Sequence, residues 1–200
     1  MAVVQLPGWA APNEASPYVR DFGGILTPFL GGPEIRINRL GTRFGLRVSL
    51  HPMRSRDQAL IIQSRLLQGR EDRLIMGWRQ PGFDAGDPGA PKLSANVVSG
   101  MVLPLKDMTP GYLIREGQFF SIIHAGRRYM HMFRADAIVD PGGNVNAAIW
   151  PMIRTGLSTN DIVEIVFPQI EGQVSPGEEM SWQISVAKLA SFSFTIAESA

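Results

Sequence analysis

The sequence predicts a mainly β protein: a β-sandwich with one α-helix, interrupted by a small inserted all-β barrel or sandwich. Three observations predict it. Apolar residues alternate with polar ones towards both ends of the chain. A single strong helical pattern lies between those alternating stretches. A break rich in proline and glycine then precedes a run of short strands separated by turn signals.

Taken in order, residues 1–33 are rich in Pro and Gly and predict an extended N-terminal arm rather than a packed element. Trp9, Tyr18, Phe22 and Phe29 punctuate it. Such an arm is either disordered or laid across a neighbouring subunit with its aromatics as buried anchors. Residues 34–51 alternate cleanly. Ile35 and Ile37 share one side of a first strand, and Phe44, Leu46, Val48 and Leu50 one side of a second. One apolar face at period two is an antiparallel strand packed on a core.

A helix over 55–68 follows. Ser55 and Gln58 have capping-box spacing. Ala59, Ile62 and Leu66 form one face, widened by Leu60 and Leu67, and Gly69 suits the C′ position that ends a helix. Residues 73–79 alternate again, with Leu74, Met76 and Trp78 on one side. The stretch QPGFDAGDPGAPK holds three prolines and three glycines and reads as a boundary.

Residues 93–170 then read as an inserted all-β domain. Its candidate strands are 97–105, 118–124, 128–139, 145–150 and 162–167. The last thirty residues return to alternation: Met180, Trp182, Ile184 and Val186, then Phe192, Phe194 and Ile196. These strands need a sheet, and 34–51 with 73–79 are the natural partners. The expected division is therefore 34–80 plus 172–200 as one β-sandwich domain, with 93–170 set into it.

Composition narrows the function. The chain has no cysteine, which excludes disulfides, thiolate zinc sites, iron–sulfur clusters and a cysteine nucleophile. The net charge of +1 argues against a dedicated nucleic-acid binder. The charge is uneven: residues 1–80 carry 11 Arg against 6 acids, and residues 81–200 carry 8 basic residues against 12 acids. Arginine forks suit fixed carboxylate pairs and protein interfaces; the plain alternative is a genomic base-composition bias. The N-terminus lacks the basic and apolar regions of a signal peptide, and no window reaches the ~18 apolar residues of a membrane span. Membrane insertion is not expected.

No reaction is legible, so the expectation is a protein that is not an enzyme and carries no cofactor or metal. Asp136 and Asp140 lie near a strand end, and DPGGN, which begins at Asp140, reads as a turn rather than as part of a carboxylate dyad. His124 and His131 flank the AGR turn. Without a third ligand they make a poor metal site, and a structural role is the plainer reading. Ser121 and Ser181 lack a nucleophile-elbow context, and no phosphate-binding glycine loop is present. Trp150 before Pro151 reads as a core residue or as a residue that stacks on a sugar ring.

Three phrases together resemble a family. They are DFGGILTPFLGGPEIRINRLGTRFGLRVSLHPM (21–53), TPGYLIREGQFFSIIHAGRRYMHMFRADAIVDPGGNVNAAIWPMIR (109–154) and PGEEMSWQISVAKLASFSFTIAE (176–198). They resemble the minor tail proteins of long-tailed, siphovirus-type phages and prophages, most of all the distal tail proteins. The resemblance covers most of the chain, and the middle phrase is its most distinctive part.

The resemblance implies a structural virion protein, a tail-tip adaptor whose tail-tube-like sandwich forms a ring, typically hexameric, between tail tube and tip. The implied partners are other copies of the chain, the tail tube protein, the tape measure protein and the hub or tip proteins. Viral DNA would pass through without sequence-specific binding. The implied location is the virion tail, assembled in the host bacterial cytoplasm. The expected interface residues are Trp9, Tyr18, Phe22, Phe29, Arg36, Arg39, Arg43 and Arg47, the arginines being equally consistent with a solvated strand face. Two other readings stand beside this one. The chain is another tube, terminator or hub-associated virion protein, or it is a carbohydrate-binding module that reads the host surface through Tyr112, Tyr129 and Trp150.

Overall fold

The computed structural model describes residues 3–185 and 189–199, with backbone only at Ser55 and Arg56. Six strands precede the helix: β1 (Val3–Gln5), β2 (Pro12–Arg20), β3 (Gly24–Leu26), β4 (Ile35–Ile37), β5 (Arg43–Leu50) and β6 (Met53–Arg54). A π-helical turn (Ser55–Ala59) leads into α1 (Leu60–Glu71), and β7 (Arg73–Gly77) follows it. Next come β8 (Gly89–Leu93), β9 (Val102–Met108), β10 (Leu113–Ile114), β11 (Phe119–His124), β12 (Arg127–Phe133), β13 (Ala137–Ile138), β14 (Val145–Trp150) and β15 (Ile162–Glu164). The chain closes with β16 (Gln169–Val174), β17 (Trp182–Ile184) and β18 (Leu189–Glu198). The fold is mainly β with one helix, as the alternation requires. The chain divides into two compact units, one of residues 1–18, 44–78 and 169–199, the other of 19–43 and 79–168.

The first unit is built on a sheet ordered β1-β7-β16-β18-β5-β2. Only the β1–β7 pair in the known registers is parallel; β7–β16, β16–β18 and β18–β5 are antiparallel. The ten-residue β18 serves two pairings. Its first half takes β17 and β6, and its second half lies between β16 and β5. One face of the sheet is apolar. Phe44, Leu46, Val48 and Leu50 of β5 lie buried with Leu74 and Met76 of β7, and with Phe192, Phe194 and Ile196 of β18. Trp78, just beyond β7, meets Phe44 edge-on at 5.6 Å. Each of these was an inward position at period two.

Helix α1 covers this face with Ile62 and Leu66, both buried. It runs past the expected end at 68. Gly69 is inside the helix, because a Cβ there would stand 2.8 Å from Val174 Cγ2. Glycine at this point allows close packing onto β16 rather than ending the helix. The Asp72 amide donates to the Gln68 carbonyl at 2.8 Å to close the last turn. The capping-box expectation at Ser55 depends on a side chain outside the described residues, as does the expectation for Val186.

The N-terminal segment is not a free arm. β1 joins the edge beside β7 and β2 the opposite edge beside β5. Prolines did not prevent this, because an edge strand needs only one hydrogen-bonded side. Residues 24–37 instead form a separate two-stranded ribbon, β3 with β4.

The second unit contains a closed barrel, β11-β12-β14-β9-β8-β15. Its core holds Leu93, Leu103, Leu105, Phe120, Ile122, Phe133, Ala147, Ile149 and Val163. Closure leaves no open edge. Strand β8 was read as part of a loop. Its register shifts between Gly89 and Lys92, and that irregularity accommodates Gly89, at φ +81°, and the buried Pro91. Strand β16 was also missed. Glu171 interrupts its apolar pattern, but it is buried in an ion pair with Arg73.

Candidate interaction surface

Among the described residues, the two most exposed large apolar side chains, Phe29 and Leu30, lie at the tip of the β3–β4 ribbon. The antiparallel register pairs Gly24 with Ile37, Ile25 with Arg36 and Leu26 with Ile35. Alternation therefore puts Leu26, Ile35 and Ile37 on one face and Ile25 with Arg36 on the other. All four apolar side chains are exposed. At the tip, Phe29 and Leu30 are at or near full exposure, 102% and 95%.

The root of the ribbon is well held. Asp21 accepts hydrogen bonds from the Gly23 amide (2.8 Å), the Thr42 hydroxyl (3.0 Å) and the Arg36 guanidinium (2.7 Å). The Gly23 amide first, then the Thr42 hydroxyl and, behind an opposing desolvation, Arg36 hold its carboxyl below the usual value. Phe22 packs over Gly41, where a Cβ would stand 3.1 Å from the ring. The guanidinium carbons of Arg43 and Arg20 lie 5.1 and 5.8 Å from the Phe22 ring centroid. The root is fixed by charge and aromatic contact, and the tip carries the apolar surface.

The expected interface residues thus separate. Phe22 joins Arg43, and Arg36 joins Asp21. Tyr18 joins Arg47 across Gly45, with the guanidinium 5.0 Å from the ring centroid. Phe29 is the tip; Trp9 and Arg39 are exposed elsewhere. Leu26, Leu30, Ile35 and Ile37 were not among the expected interface residues. The signal for Leu26 and Leu30 was the apolar run ILTPFL bracketed by two glycine pairs, whereas Ile35 and Ile37, expected on the core face of a packed strand, are exposed.

The sugar-stacking set does not come together. Tyr129 is buried, with the Arg154 guanidinium 5.7 Å from its ring centroid, so its face is taken. Trp150 pairs with Met132, and Phe133 with Ile149. Trp150 therefore projects to the opposite side of the barrel wall from Tyr129. Tyr112 donates to the Ala85 carbonyl at 2.7 Å and accepts from Gln118 at 3.0 Å. As a shared platform the three residues are excluded by their positions.

Both histidines have partners. His124 Nδ1 lies 2.7 Å from Asp161 Oδ2. His131 stacks on Phe120, with centroids 5.8 Å apart, and its Nδ1 lies 2.9 Å from the Pro151 carbonyl. That oxygen can only accept, so Nδ1 carries the proton and donates. Burial, followed by the nearby Arg154 charge, lowers the His131 pKa to about 3, against the weaker pull of the Pro151 bond. Among the described residues no group of three or more His, Cys, Asp or Glu is placed to hold a metal ion.

No family model matches the chain, and no curated protein matches it.

Proposed function

We propose that the chain is a structural subunit of a phage tail, most like a distal tail protein. It forms a ring, hexameric in the family it resembles, between tail tube and tip. DNA passes through, and hub or tip proteins assemble on it. The phrases at 21–53, 109–154 and 176–198 support this reading by resemblance. The fold supports it as well, with a sandwich and single helix interrupted by a separate barrel.

The observation that carries most weight is the β3–β4 ribbon. A chain of this size that holds Phe29 and Leu30 in water on a firmly rooted projection carries a surface made for another protein. A carbohydrate-binding role is weakened by the burial of Tyr129 and the divergence of Trp150 from it.

The test is electron microscopy of the purified full-length chain. Annular particles with a central opening and six-fold averages are expected. Compact single-chain particles, together with saturable glycan binding by the barrel, would overturn the reading.

A further inference from the structure

We draw no further inference here: the strongest candidate, the cavity of about 370 Å³ on the polar face of β2, β5 and β18 that Glu14, Glu178 and Glu179 line, carries nothing, because its character is that of an exposed acidic cluster and no second feature of the structure points to a ligand there.

Discussion

Single residues show where packing tolerates nothing extra. A Cβ at Gly172 would overlap the Ala197 carbonyl on the adjacent strand, and that obstacle is backbone. Gly172→Ala is expected to destabilise the first unit by about 1–3 kcal/mol or more, because the strand pair must separate. Gly77→Ala, with nothing within 4 Å of the new methyl, is expected to be neutral or slightly stabilising. Urea unfolding of both variants checks the contrast.

His131 gives a pH dependence of known sign. Its folded pKa of about 3 lies below the ordinary 6.5, so the unfolded chain binds the proton more readily. Its contribution is complete above about pH 6.5 and is lost as pH falls towards 3, at up to about 1.4 kcal/mol per pH unit. His131→Gln can still donate to the Pro151 carbonyl but does not titrate. The wild type should therefore lose more stability than this variant between pH 7 and pH 5. Equal losses would show that His131 already ionises in the fold. The sequence placed His124 and His131 around one turn, but not their partners Asp161 and Pro151, which lie 37 and 20 residues away in sequence. The overlap at Gly172 was not legible either, because it depends on a neighbour twenty-five residues away in sequence.

At the scale of elements, α1 carries one buried apolar stripe, with Ile62 and Leu66, and one exposed stripe, with Leu60 and Leu67. Leu66→Ala opens a cavity against the sheet and is expected to cost about 2–5 kcal/mol. Leu60→Ala is expected to change monomer stability by no more than about 0.5 kcal/mol. Thermal or urea unfolding of the monomer separates them. The helical period gave the inner stripe directly, whereas the outer leucines read as a wider version of the same face.

Strands with clean alternation, β5, β7 and β18, were legible residue by residue. β8 was not, because Gly89 and Pro91 look like loop residues until a register irregularity accommodates them. β1 and β2 read as an arm because edge strands tolerate prolines that interior strands do not. In the ribbon, β4 was legible as a strand from Ile35 and Ile37, but both are exposed rather than packed on a core, because their partner is the three-residue β3, which was read as part of the arm.

At the scale of the molecule, the interruption of one β unit by another was expected from the return of alternation after residue 180. The barrel core draws on side chains between Leu93 and Ile165, with Ala85 packed against it. A fragment of residues 79–168 is accordingly expected to fold alone, with β-type circular dichroism and a cooperative melt. A fragment without cooperative unfolding would show that the barrel depends on the rest of the chain.

The proposed function rests on the resemblance, not on any chemical pattern in the sequence. Assembly surfaces carry no fixed spacing of chemical groups, so composition and periodicity do not mark them. The uncovered ribbon is visible only in three dimensions.

The central claim is that this chain works as a closed assembly of copies. The most direct test is its mass in solution by light scattering at increasing concentration. The account predicts a plateau at six times the 21.9 kDa chain mass, weakened when Phe29 and Leu30 are made acidic. A constant 21.9 kDa at every concentration, with or without those substitutions, would contradict it.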